Sequence, residues 1–478
     1  MKKHFNWALL AILALAQFMV VLDTSIVNVA LPAIEKALHF STANLQWVIT
    51  AYTLCFGGFL LLGGRAADLY GRRRMFILGI AGFTLASLAV GLSQSSGMAI
   101  VFRGIQGLFA AFMSPAALSI VLTSFTGGKE RNTALGVWAA VAAGGAAAGV
   151  LFGGLLTQYF GWRWDFFVNI PVGIFVVFMA LKLVPPHAKE VEHNDLDLPG
   201  AVLVTSGLMT LVYTLVKAPQ WGWLHASTIE MFALSAALLA GFLINESRVK
   251  HPLMPLSIFR IRNVSAANLA QLPITAGMFS MFFFLSLYIQ MILGYSPVIS
   301  GLCYLPITII IGITAPNAAK LIGKIGFKPL MIVAPLLMAA GLTYLSRIPV
   351  DGTYWVDVFP GLALMAVGMG LSFVSITVAA TSGVPGNESG LASGLLNTSQ
   401  QIGGALGLAI LSGVAASRTQ TVLAGSAVHN QAAQVNATVQ GYHSAFHIGI
   451  AFALTASLVA AILVRNQRHH DAAPTAAH

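Results

Sequence analysis

The chain has 478 residues, of which 57% are apolar and only 8% charged, with a mean hydropathy of +0.82. A globular enzyme of this size carries far more charge, so the composition excludes that class and points to a membrane protein. The formal net charge of +10 does not indicate nucleic acid, because the basic residues are scattered over short loops and not gathered on one polar face. Cys55 and Cys303 both lie inside apolar runs, so neither a disulfide framework nor a metal site is expected.

Lys2 and Lys3 precede an apolar run, Trp7 to Leu31, that is longer than the core of a secretory signal and reads as an uncleaved first span. Fourteen candidate spans follow in order, starting near Trp7, Leu45, Met75, Met98, Ala134, Phe166, Leu198, Thr228, Val264, Ile299, Pro329, Val356, Gly390 and Ala445. An even number puts both termini on one side. Nineteen of the 25 Lys and Arg residues then fall on that side, five on the other, and Arg103 inside a span. This bias predicts cytoplasmic termini and a multi-pass protein of the cytoplasmic membrane.

The first span contains VLDTSIVNVALP, where an unpaired carboxylate at Asp23 would be expensive in hydrocarbon. Arg103, near the start of the inward-running fourth span, lies at similar depth. The two are expected to couple, directly or through water, so that protonating Asp23 changes how Arg103 is satisfied. A static buried pair that holds two helices together is the other reading. Gln17, Thr24 and Asn28 fall near one stripe of the first span, and Gln106 sits beside Arg103 in RGIQGLFAAF. Those amides and the hydroxyl either line a polar cavity or bond neighbouring helices.

Between the second and third spans lies the polar island GRAADLYGRRR, Gly64 to Arg74. It is expected to be a tight loop, with Gly64 and Gly71 freeing the backbone and Asp68 and Arg72 one helical turn apart and able to pair. This loop resembles the signature between helices 2 and 3 of the major facilitator superfamily. The resemblance implies that Gly64, Asp68, Gly71 and Arg72 form a gating latch closing the cytoplasmic side; a basic loop that only sets topology is the other reading. Arg103 followed by Gln106 and Gly107 is similar to the family's helix 4 pattern, which implies a role for Arg103 in proton coupling.

The fifth span, AAVAAGGAAAGVLFGG, spaces Gly145, Gly149 and Gly153 four apart, a pattern that lets two helices touch backbone to backbone. It resembles the motif shared by the superfamily's antiporters, with Val150 where proline usually stands; plain helix packing accounts for the glycines as well. WRWDFFVNIPVG, Trp162 to Gly173, has Trp residues suited to an interfacial belt, and its Asp165 departs from the usual apolar residue. With LDTSIVNVALP, PLMPLSIFRIRN, GLASGLLNTSQQIGGALG and the count of fourteen, the chain resembles the fourteen-helix drug/proton antiporter branch.

The expected fold is therefore an all-α integral membrane protein of the major facilitator type, with fourteen helices arranged as 6 + 2 + 6. The divisions are 1–197, a first six-helix half; 198–262, a two-helix insert with its linker; and 263–478, a second half with a short cytoplasmic tail. AKLIGKIGFKP, Ala319 to Pro329, faintly repeats the Gly64 to Arg74 island, with Gly323 in the place of Asp68. In span 13, Asn397, Ser399, Gln400 and Gln401 either touch substrate or pair with neighbouring helices. Glu388 reads as a carboxylate at a helix start, and His469, His470 and His478 are too sparse to argue a metal.

No phosphate-binding GxxxxGK[ST] loop, HExxH or convincing nucleophile elbow occurs, so no cofactor is expected and the proton gradient is the implied energy source. The resemblance implies a proton-coupled exporter of small lipophilic drugs, working as a monomer in the bilayer by alternating access. Proton-coupled transport of a metabolite or lipid on the same fold is the alternative, with a channel or intramembrane enzyme further away.

Overall fold

A computed structural model describes residues 6–125, 128–184, 197–250, 252–384, 389–426 and 430–465. Glu388, the histidine-bearing tail and residues 185–196 at the end of the first half lie outside the described residues. The helices run α1 (Trp7–Leu38), α2 (Thr42–Leu45), α3 (Trp47–Tyr70), α4 (Arg72–Gly91), α5 (Ser96–Ser124), α6 (Gly128–Tyr159), α7 (Trp164–Phe167) and α8 (Asn169–Leu183). They continue with α9 (Leu198–Trp221), α10 (Ala226–Arg248), α11 (Arg262–Leu287), α12 (Pro297–Ile325), α13 (Phe327–Leu345), α14 (Phe359–Thr381), α15 (Ser389–Ala424) and α16 (Gln431–Leu463). One-turn π segments, Tyr288–Ile292 and Tyr354–Val358, extend α11 and precede α14. No strand occurs among the described residues.

Among the described residues, thirteen segments are long and apolar enough to cross a membrane. With α6, whose 32 residues rise about 48 Å against a hydrocarbon core of ~30 Å, the helices number fourteen. Local chemistry sets where they start: side chains of Asn6, Ser95, Asp197, Ser296 and Asn430 accept from the backbone N–H three residues on. Below, the side on which α1 starts and α16 ends is the terminal side, and the opposite one is the far side.

The junction between α3 and α4 differs from expectation. The expected loop from Gly64 to Arg74 shrinks to Gly71 alone, and Gly64 lies inside α3. Ala66, Ala67 and Leu69 favour helix and are buried, so the helix runs on through the polar island. Gly71 then breaks it with φ 98° and ψ 127°. Asp68 and Arg72 thus belong to different helices, α3 and α4, and the Asp68 side chain is outside the described residues. Gly326 makes the same left-handed break between α12 and α13, with φ 81°, so the faint repeat in sequence is also a repeat of backbone geometry. Gly71→Ala, which forces a Cβ into that region, is expected to cost about 1–2 kcal/mol, read as a lower thermal midpoint in detergent.

The last helix also starts earlier than expected. The polar stretch from Gln431 up to Ala445 forms the first turns of α16, capped by Asn430, whose Oδ1 accepts from the Ala433 N–H at 2.9 Å. Its polar composition hides it from an apolar-span count, although Ala and Gln are good helix formers.

In the first half, α5 packs on α3 and α4, and α1 runs parallel to α6. In the second, α13 packs on α14 and α16, and α11 on α15 and α16. The insert α9–α10 forms a hairpin held by Ser235 Oγ donating to the Gly207 carbonyl at 2.9 Å, and α9 lies beside both α3 and α15. The halves meet along α3–α15 and, at the far side, along α6–α12. There Gly154 faces the Pro297 carbonyl, Gly301 faces that of Val150, and Gln158 Oε1 accepts from the Val298 N–H at 3.2 Å. Gln290 Nε2 donates to the Val29 carbonyl at 2.8 Å, tying α1 to the π turn after α11.

Candidate functional site

Midway through the first half, polar side chains from α1, α5 and α8 converge where the surrounding faces are apolar. Asp23, Arg103, Gln106 and Asn169 are each no more than 1% exposed. Arg103 Nη1 donates to Asp23 Oδ2 at 2.6 Å and to Gln106 Oε1 at 2.6 Å, and its Nε donates to the Val48 carbonyl of α3 at 2.9 Å. Gln106 Nε2 donates to Asp23 Oδ1 at 2.8 Å, and Asn169 Nδ2 reaches the same oxygen at 3.0 Å. Ser87 on α4 sits behind Asn169 at 3.0 Å and donates to the Phe166 carbonyl at 2.9 Å. The guanidinium lies 4.4 Å from the centre of the Tyr52 ring and 5.7 Å from that of Phe166.

Each part answers a physical demand. A carboxylate in hydrocarbon needs donors, and Asp23 has three: a guanidinium and two amides. A guanidinium needs acceptors in its own plane, and Arg103 meets a carboxylate, an amide oxygen and a backbone carbonyl while an aromatic face covers its flat side. Gly107 makes this possible, since a Cβ there would lie 2.2 Å from the Tyr52 carbonyl; α3 can therefore press onto α5 and bring Val48 and Tyr52 to the arginine. Lysine at this position would keep the charge but lose the fork and the stacking. Arg103→Lys is expected to destabilise the protein by about 2 kcal/mol, measured by thermal unfolding in detergent.

The expected Asp23–Arg103 pairing is thus a direct contact, bridged on one side by Gln106. Of the two readings open for Gln106, lining a polar cavity or bonding a neighbouring helix, the structure shows the second: it is fully buried and belongs to the charge cluster. Gln17, Thr24 and Asn28 are half-buried on α1. Gln17 Oε1 accepts from Ser114 Oγ at 3.1 Å, while Thr24 and Asn28 bond back to the Val20 and Thr24 carbonyls. On α15, Asn397 is exposed and Gln400 and Gln401 are half-buried. Gln401 packs against Gly57, where α3 and α15 touch. Ser399 donates to Asn268 Oδ1 at 2.7 Å, a bond within the second half.

Gly145, Gly149 and Gly153 all face α1. A Cβ at Gly149 would lie 2.6 Å from that of Ser25 and 2.9 Å from the Leu22 carbonyl, and one at Gly153 would lie 2.9 Å from the Ile26 carbonyl. The small residues therefore seat α6 against the helix that carries Asp23.

Three contributors were not singled out in the sequence. Asn169 lies within the FFVNIPVG run and is a polar residue at the start of α8, a signal that was available. Ser87 and Tyr52 sit in apolar spans with nothing to mark them, and only the packing of α3, α4 and α5 brings them in.

Residues 13–408 match the family model for the Major Facilitator Superfamily. The chain belongs to the major facilitator superfamily. It is 41% identical over 464 residues to the puromycin resistance protein pur8 of Streptomyces alboniger, a match covering 96% of this chain and 90% of the relative. It is 37% identical over 418 residues to the tetracenomycin C resistance and export protein of Streptomyces glaucescens, covering 87% and 77%. Among solved structures, a bacterial homologue of the human lysosomal transporter Spinster, inward-facing and occupied, superposes with a TM-score of 0.71 at 15% identity, covering 97% of each chain. That likeness shows the superfamily fold. The protein is a multi-pass membrane member of a transporter family, and its fourteen helices place it with the fourteen-helix resistance and export branch that its sequence resembles.

Proposed function

We propose that this protein exports lipophilic antibiotics or related toxic compounds in exchange for protons. The observation that carries the coupling is the buried cluster in which Asp23 holds three donors, one of them Arg103. Proton arrival at Asp23 cancels the charge that Arg103 answers and weakens the acceptor that Gln106 and Asn169 share, so protonation changes the packing of α1 against α5 and α8. Two relatives named for antibiotic resistance or export supply the substrate class.

In this reading the terminal side is cytoplasmic, in the cell's inner membrane, as the distribution of basic residues predicts. The two halves rock about the space between them. The far-side contacts of α6 with α12, and of α1 with the π turn after α11, separate when the protein opens outward, and contacts near the Gly71 and Gly326 junctions close in their place. Gln17, Thr24, Asn28, Asn397, Gln400 and Gln401 keep surface or hydrogen-bonding capacity for a bulky apolar ligand with few polar groups.

Puromycin accumulation in cells with and without a protonophore tests the reading. Export that collapses with the protonophore is the expected result. Export that persists without a gradient rejects proton coupling, and gradient-driven flux of a metabolite or lipid with no movement of puromycin or other lipophilic drugs rejects the substrate class.

A further inference from the structure

A second carboxyl group lies close to the cluster and takes no part in it. Asp165, in the short helix α7, is fully buried. Its Oδ2 accepts from Thr157 Oγ1 of α6, and its Oδ1 is buried without any hydrogen-bond partner. No cation pairs with it among the described residues. Arg163, two residues away, donates instead to the Ser93 carbonyl at 3.1 Å and lies 4.6 Å from the centre of the Trp162 ring. The elements packed around α7 are α1, α4, α6 and α8. Of the charged groups they bring, Asp23 is within electrostatic reach of Asp165. Arg103 reaches the same helix from α5, over the Phe166 ring. Ser87 and Asn169, from α4 and α8, are neutral.

The charges do not balance unless a proton is present. Asp23, Asp165 and Arg103 together bring two acids and one base into a region with no water-exposed surface at any of the three. Arg103 is committed to Asp23 at 2.6 Å, so a second anion at Asp165 would have one hydrogen bond, one bare oxygen and a like charge nearby. Burying an uncompensated charge in this way is strongly unfavourable, and a single bound proton removes the problem. Position gives that proton a direction. Trp164, the neighbouring residue, is 48% exposed at the far side, while Asn169, four residues or about 6 Å of helix further in, touches Asp23.

We propose that Asp165 is a second proton-carrying carboxyl group, placed between far-side water and Asp23, and that the proton held there is the one delivered to Asp23. In the step, the O–H bond at Asp165 breaks, a new O–H bond forms on an Asp23 oxygen, and the pair keeps one negative charge throughout. Arg103 pairs with that charge while it is on Asp23, and far-side water returns the proton to Asp165 when the protein opens outward. This deepens the antiport reading and rests on it.

The test uses the purified full chain in proteoliposomes. Infrared difference spectra between acidic and alkaline buffer, recorded without substrate, are expected to lose one protonated-carboxyl band in Asp165→Asn and to keep it in Asp165→Glu. Asn matches the neutral acid in shape and still accepts from Thr157. In the same vesicles, gradient-driven puromycin export by Asp165→Asn is expected to fall by about tenfold or more and its pH dependence to flatten, with puromycin binding unchanged. An unaltered spectrum, or wild-type export with a wild-type pH profile, overturns the inference. Should Asp165→Asn not fold, Thr157→Val replaces it: a moved carboxyl band supports the inference and an unmoved one rejects it. Failure of the antiport reading is seen separately, as wild-type export that ignores the gradient.

Discussion

Asp23→Asn is expected to reduce gradient-driven export by at least about a hundredfold, the scale on which loss of a proton-transferring group is felt. The substitution keeps the shape of the side chain and removes its charge. Arg103 loses the partner at 2.6 Å, and Gln106 and Asn169 lose an anionic acceptor. Breaking one side of a buried pair also costs about 3–5 kcal/mol of stability, so a bare loss of export would not separate a proton carrier from a structural ion pair. The double variant Asp23→Asn with Arg103→Gln does separate them. Removing both charges relieves the unpaired guanidinium, so thermal stability should recover most of the way. Export should stay lost. A double variant that exports puromycin and still follows the gradient would show that the pair is structural.

The second large effect is expected at the α1–α6 seam. Gly149→Val puts atoms where Ser25 and the Leu22 backbone already stand, within 2.6 and 2.9 Å of the new Cβ. Overpacking of this kind costs roughly 1–3 kcal/mol when side chains can yield, and here half of the obstruction is backbone. Leu22 precedes Asp23, so any displacement of α1 also moves the carboxylate away from Arg103. Lower abundance, a lower thermal midpoint and lost export should appear together. Gly144 is the control, because a Cβ there meets nothing within 4 Å. Gly144→Ala should raise stability by about 0.5–1 kcal/mol through helix propensity alone. Equal behaviour of the two variants would mean that the glycines do not act through contact with α1.

Much of this site was legible before any coordinates. A charge deep in an apolar span is costly enough to be noticed wherever it falls, so Asp23 and Arg103 stand out by composition and by their matching depth. The Gly145, Gly149 and Gly153 spacing is legible for a similar reason, since a period of four on a helix defines one face. Their partner helix was not. Gln106 was legible as a polar residue beside Arg103, but whether it lines a cavity or bonds a neighbouring helix stayed open, because its sequence position fixes its helix and not the direction in which that helix faces. The polar island at Gly64 to Arg74 misled in another way: polarity reads as loop, yet a helix ends where its backbone is broken, and only Gly71 does that.

The sequence by itself determined that this chain spans a membrane fourteen times, in which order, and with two buried charges at one depth in the first half. Those properties follow from transfer energies and helix length, which are local and additive along the chain. Only the tertiary structure decided that Asp23 and Arg103 touch, that Gln106, Asn169, Ser87 and Tyr52 join them, and that Asp165 lies beside them with one oxygen unanswered. A buried polar atom's partner comes from another helix, and which helices meet is set by packing across the whole bundle.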